Sequence, residues 1–206
     1  ISTQIVLEDS EPLNLTLSAI HPRNDSLTFN AVSNSSSGIV NIDSTMLIIE
    51  IEDDYNGIIT ITAYVYDSNN NSDSTSFYTI VTPINDHPQD FNLVYPTSID
   101  TFSTNENSDT EIIFQWEESI DVDDLPTYTL TIELEFFNNL YTDIHENIND
   151  TSYAILSQSL DQLLNALNLE EYALNWYIKA NDGEYSTFSD TGQFVLTRLL
   201  LDNFEQ

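Results

Sequence analysis

The stretch Tyr128-Thr129-Leu130-Thr131-Ile132-Glu133-Leu134-Glu135-Phe136 alternates without a break between apolar residues and Thr or Glu. A strand turns successive side chains to opposite faces, so this pattern buries one face and wets the other. A helix, with its period of 3.6, cannot do that. Thr129, Thr131, Glu133 and Glu135 are therefore expected in solvent. Two more inward rows flank the stretch: Ile112, Phe114 and Trp116 before it, and Tyr172, Leu174, Trp176, Ile178 and Ala180 after it. Two tryptophans on facing strands would anchor a sandwich core.

The same period recurs in the first half of the chain. Ile59, Ile61, Ala63 and Val65 fall on one face, and Thr60, Thr62, Tyr64 and Tyr66 on the other. The run ends in Asp67-Ser68-Asn69-Asn70-Asn71-Ser72-Asp73, a dense cluster of turn formers. Phe77, Thr79 and Val81 then return, which makes a hairpin. Earlier strand-like runs lie at 13–17, 26–32 and 45–51. Residues 159–169 break the pattern: Leu160, Leu163, Leu164 and Leu167 have helical spacing, and Ser159 is placed to cap. This predicts a short helix that plugs the core. The Pro-bounded segment from Thr82 to Pro88 separates the halves, giving domains at 1–87 and 88–200 and a tail or linker at 201–206. The expected fold class is all-β: two tandem immunoglobulin-like β-sandwiches, the second with a helical insertion near 159–169.

Composition narrows the function. The chain has 206 residues, 35 acidic and 3 basic, for a formal charge of -32. Such a chain repels nucleic acid and anionic membranes, whose binders carry basic patches. It suits solubility, or a setting rich in salt or calcium where cations screen the carboxylates. No cysteine is present, which excludes disulfides, thiol catalysis and Cys-ligated metals. No apolar run is long enough to span a membrane. No basic region followed by an apolar core opens the chain, so Ile1 reads as the start of a mature form or a fragment. The four glycines are isolated, so no phosphate loop forms, and no nucleophile elbow appears. Glu117-Glu118 and Glu170-Glu171 are adjacent pairs that point to opposite faces of a strand and do not converge for glycoside hydrolysis. His21, His87 and His145 are scattered and read as polar loop residues. No catalytic or organic-cofactor residue is assigned.

Certain motifs carry a family resemblance. Val6-Leu7-Glu8-Asp9-Ser10, Asp54-Tyr55-Asn56-Gly57, the Asp67, Asn69 and Ser72 turn, and the closing Val81-Thr82-Pro83-Ile84-Asn85-Asp86-His87-Pro88 occur in order. With them the first half resembles the cadherin-like repeats that occur in tandem in bacterial surface proteins. Trp116, the loop Ser119-Ile120-Asp121-Val122-Asp123-Asp124, and Tyr172 to Trp176 leading into Ala180-Asn181-Asp182-Gly183 make the second half similar to a bacterial fibronectin type III domain.

The cadherin resemblance implies calcium between successive domains, a hard cation that takes six to eight oxygens. Its ligands here would be Glu8, Asp54, Asn85 and Asp86 from the first domain, and Asp121, Asp123 and Asp124 from the second. The loop Ala19-Ile20-His21-Pro22-Arg23-Asn24-Asp25 departs from the family's Asp-rich turn, so no such site is expected at the other end of the first domain.

The function implied is a non-catalytic extracellular or cell-surface module, a stalk, adhesion or filament block of bacterial origin, stiffened by calcium. Its partners would be neighbouring β-sandwich domains or like subunits, or surface glycans or proteins, with no nucleic acid and no membrane insertion. The alternative is an accessory or carbohydrate-binding region of a secreted multidomain hydrolase, for which Tyr64, Tyr66, Tyr78 and Tyr177 would supply an aromatic row.

Overall fold

The computed structural model describes residues 1–199; the expected tail at 201–206 lies outside the described residues. The chain divides into two compact units, Ile1–Ile84 and Asn85–Gln206.

The first unit contains β1 (Gln4–Leu7), β2 (Leu13–Thr16), β3 (Thr28–Ser33), β4 (Gly38–Asp43), β5 (Met46–Ile51), β6 (Gly57–Tyr66) and β7 (Ser72–Thr82). One sheet runs β1-β7-β6-β3 and the other β2-β5-β4. Ile59, Ile61 and Ala63 of β6 face Phe77 of β7 and Leu47 and Ile49 of β5, and these residues form the core. The period-two row is the reason: every second side chain of each sheet reaches the same interior. The β6–β7 hairpin turns at Asp67, whose Oδ1 accepts the N–H groups of Asn69 and Asn71 at 2.8 and 2.9 Å. Asn70 takes a φ of 61°, the left-handed conformation that Asn tolerates. β7 therefore begins at Ser72, inside the expected turn cluster. β1 pairs parallel to β7, Ile5 opposite Ile80.

The second unit contains β8 (Leu93–Tyr95), β9 (Thr101–Thr104), β10 (Glu111–Trp116), β11 (Thr127–Phe136), β12 (Asn139–Ile148), β13 (Ser152–Leu156), α1 (Ser157–Ala166), β14 (Glu171–Asn181), β15 (Ser186–Phe188) and β16 (Gly192–Arg198). A six-stranded sheet holds β12-β11-β14-β16-β9 with β15 on β14, and a three-stranded sheet holds β13-β10-β8. All three alternating rows line one interior. Phe114 meets Trp176 and Phe194 edge-on at 5.1 and 5.6 Å, and Trp116 meets Tyr128 at 5.5 Å. Like β1 on β7, β9 pairs parallel to β16.

Three local expectations need correction. The helix expected near 159–169 is present at Ser157–Ala166, but Ser159 does not cap it; its Oγ donates to the Leu156 carbonyl. Burial sets the start instead. Ser157 is fully buried, its N–H donates to Thr110 and its hydroxyl bonds that of Ser108 at 2.8 Å. Asn168, at a φ of 55°, closes the far end. Thr131 is buried rather than wet, because its short side chain sits between its cross-strand partners Ile144 and Tyr177. His145 lies on strand β12 rather than in a loop. None of the helices among the described residues is long and apolar enough to cross a membrane.

Candidate functional site

The acidic residues singled out by the sequence fall into two sets, one in each unit. In the first, the chain leaves β1 through Glu8, which is 2% exposed. A buried carboxylate must find donors. Its Oε1 accepts the Ile84 N–H at 2.6 Å and its Oε2 the Asn56 amide at 3.4 Å. The same end holds Asp54, whose N–H donates to Asp9 Oδ1 at 2.9 Å. Asp9 and Asp54 both have left-handed backbones, with φ of 55° and 58°. Thus Glu8 and Asp54 share one end of this unit with Asp9, a residue that was not assigned a role from sequence.

In the second unit the loop after β10 folds on Asp121. Its Oδ1 accepts the N–H groups of Asp123 and Asp124, both at 3.0 Å. Its Oδ2 is buried and has no hydrogen-bond partner among the described residues. Asp123 Oδ2 accepts the Asp86 N–H at 3.0 Å, and the Asn85 amide donates to Asp182 Oδ2 at 2.9 Å. Asp182 Oδ1 in turn accepts the N–H groups of Glu184 and Tyr185. Burial alone would raise the Asp182 pKa, but the Tyr185 and Glu184 N–H groups and the Asn85 amide hold it below the ordinary carboxylate value.

Asn85 and Asp86 were expected to belong to the first domain. They go with the second, as does His87, which stacks on Tyr185 at 3.9 Å. The reason is their bonding: Asn85 to Asp182 and Asp86 to Asp123. Asp124 contributes its backbone N–H to the turn and is itself exposed. Asp182, in the Asn181-Asp182-Gly183 turn, is given no role by the sequence reading, and the structure brings it to Asn85. An acidic residue in an Asn-Asp-Gly turn reads first as a turn former.

Asp121 and Asp123 share one turn, the Asp86 N–H is bound to Asp123, and Asn85 is bound to Asp182; carboxylate and amide oxygens are the donors a hard cation takes.

His21, Asp25 and Asp67 place potential ligand atoms together in the first unit. Their hydrogen bonds argue against a metal. His21 Nδ1 accepts the N–H groups of Arg23 and Asp25 at 3.3 Å, so the ring proton sits on Nε2, which faces Asp67 at 3.6 Å. Neither nitrogen keeps a free lone pair. The cluster ties the loop to the hairpin turn.

The aromatic residues do not make one row. Tyr64 and Tyr66 stack at 6.4 Å and share a sheet face with Tyr78, whereas Tyr177 belongs to the second unit and packs near Phe188.

No protein-family model matches the sequence, and no curated protein matches it. Solved structures do match. Over 96% of this chain, the Drosophila N-cadherin EC1-4 crystal structure is similar with a TM-score of 0.53 and 12% identity. Over 98% of it, mouse cadherin-23 EC22-24 is similar with a TM-score of 0.50 and 18% identity. The chain covers 47% of the first and 64% of the second. At such identities what is shared is the fold, that of cadherin ectodomain repeats.

Proposed function

We propose that this chain is a non-catalytic extracellular module of structural or adhesive type that binds calcium. The ligands are Glu8 and Asp54, with Asp9, in the first unit, and Asn85, Asp86, Asp121, Asp123 and Asp124, with Asp182, in the second. The observation that carries the reading is the acidic loop folded on Asp121, whose Oδ2 is buried with no hydrogen-bond partner among the described residues, in a chain of 35 acidic and 3 basic residues. When bound, calcium would neutralise carboxylates that otherwise repel. This chain's residues hold the loops in shape: Asp121 folds its own turn, Asn85 orients Asp182, and Glu8 fixes the exit of β7 through Ile84.

The surface setting and bacterial origin rest on the sequence resemblance, as does the stalk or filament role among neighbouring sandwich domains or like subunits. The fibronectin type III-like reading of the second unit rests on its Trp116 and Tyr172 to Trp176 strands. Against it, the parallel pairing of β9 with β16 repeats that of β1 with β7, which favours two units of one kind.

Thermal unfolding in millimolar calcium and then in chelator tests the proposal. Binding to the folded state alone raises the midpoint by several degrees. An unchanged midpoint removes calcium from the account and leaves the fold as described.

A further inference from the structure

Every solvent-facing sheet surface but one carries carboxylates. Asp43 and Glu50 stand on the outer side of β2-β5-β4, Glu111 on that of β13-β10-β8, and Glu133, Glu135 and Glu171 on that of the six-stranded sheet. The exception is the outer side of β1-β7-β6-β3. Register and alternation fix which residues it presents, and none of them is charged. An ordinary soluble surface is about a quarter to a third charged, and this chain has 35 acidic residues. An uncharged face is therefore the anomaly.

Its centre is apolar. Ile5, Ile80 and Ile58 lie side by side across three strands, with Ile5 71% and Ile58 61% exposed. Leu7, Val32 and Tyr78 extend the patch, at 53%, 46% and 55% exposure. Serine and threonine hydroxyls along β6 and β7 surround it.

We infer that this face is where two copies of the chain pack against each other, sheet on sheet. Two arguments select a second copy as the occupant. First, a chain of charge -32 repels itself at any contact that sets carboxylates against carboxylates. Of the sheet faces among the described residues, only this one brings two copies together without doing so. A cationic partner would instead be met by acidic residues, and there are none here. Second, the area suffices for a weak contact. Strands ~4.8 Å apart and ~3.3 Å per residue give this sheet roughly 500 Å² of footprint. Two copies then bury on the order of 1,000 Å², the lower end of specific interfaces. The inference deepens the structural-module reading by naming a partner and a surface, and it does not depend on calcium.

Analytical ultracentrifugation of the whole chain, with and without calcium, tests it. Salt at ~0.5 M screens the net repulsion. The expected result is a weight-average mass that climbs from 23.4 kDa towards twice that value between about 10 μM and 1 mM, in chelator as well as in calcium. Ile58→Asp and Ile5→Asp, both at exposed positions, should hold the mass at the monomer value, with circular dichroism confirming that each is folded. Ile39→Asp, exposed on the opposite sheet at 51%, should associate like the parent chain. A parent chain that stays monomeric throughout overturns the inference, and so does an Ile39→Asp variant that dissociates as fully as Ile58→Asp. The calcium proposal can fail without affecting either outcome.

Discussion

Arg198 Nε donates to Asp161 Oδ1 at 3.0 Å, joining the last strand of the second unit to its helix. Asp161 is 1% exposed, and Arg198 is one of the chain's 3 basic residues. In so acidic a protein, a cation spent inside the fold marks a place where the helix needs fastening. Removing one partner of a buried pair leaves the other charge without compensation. Asp161→Ala should therefore cost about 3–5 kcal/mol of the second unit's stability. Urea unfolding followed by tryptophan fluorescence checks this, and it reports the second unit alone, because both tryptophans, Trp116 and Trp176, lie there. A loss below about 1 kcal/mol would match a surface pair and contradict the buried role.

Gly192 lies against the indole of Trp176. A Cβ added there would stand 2.5 Å from Trp176 Nε1 and 2.9 Å from Cε2. The ring is fully buried and rigid, so it cannot yield. Gly192→Ala should destabilise the unit by about 1–3 kcal/mol and shift the emission of Trp176. At Gly38 the nearest atoms would be Ile59 Cδ1 at 2.8 Å and Cγ2 at 3.0 Å; Ile59 is buried too, but its Cδ1 can turn about one bond where a fused ring cannot, so Gly38→Ala should cost less. Equal losses at the two positions would refute the packing argument.

Glu8→Gln separates the fold from the ion. The amide oxygen can still accept the Ile84 N–H, and the Asn56 amide can turn its oxygen towards the new NH2 in place of its long 3.4 Å bond, so the thermal midpoint in chelator should stay within about two degrees of the parent's. The added stability in calcium should fall, because one anionic ligand is gone. A variant that gains as much from calcium as the parent would remove Glu8 from the ligand set.

Asp67, Asp100 and Asp182 contribute to the acid limb of stability. The Asn71 side chain, with the Asn71 and Asn69 N–H groups and His21, holds the Asp67 carboxyl below its usual value, and Asp182 is lowered as described above. A carboxyl whose pKa is lower folded than unfolded contributes stability above its unfolded pKa, near 3.8. That contribution is lost as the pH falls through the folded value. The thermal midpoint should be level above about pH 5 and fall below about pH 4. Asp67→Asn should flatten the drop, which a midpoint series in buffers from pH 7 to pH 3 measures. A drop as steep in the variant as in the parent would remove Asp67 from the acid limb.

The rows around Tyr128, Trp116, Trp176 and Ile59 were legible in the sequence because burial on one face writes itself as period two. Other strands left weaker signals. β4 opens on Gly38 and sets Ile39 beside Val40, which breaks the alternation. β12 exposes Leu140 and Ile144 on an edge strand while Asp143 and His145 alternate with them, so its pattern resembles a loop. The start of α1 carries no cap signal, because a buried serine pair decides it. For the site, Glu8, Asp121 and Asp123 stood in recognisable motifs. Asp9 and Asp182, which the structure places beside Asp54 and Asn85, gave no separate signal because acidic residues also build turns. Asp161 and Arg198 are 37 residues apart, and nothing local in either neighbourhood announces the pair.

Isothermal titration of calcium into chelator-stripped protein tests the central proposal most directly. Saturable binding is expected, with a dissociation constant between about 1 μM and 1 mM, weakened at least tenfold in Asp121→Asn and in Asp182→Asn. Absence of a saturable heat, or binding of unchanged strength in both variants, would contradict the calcium-binding role.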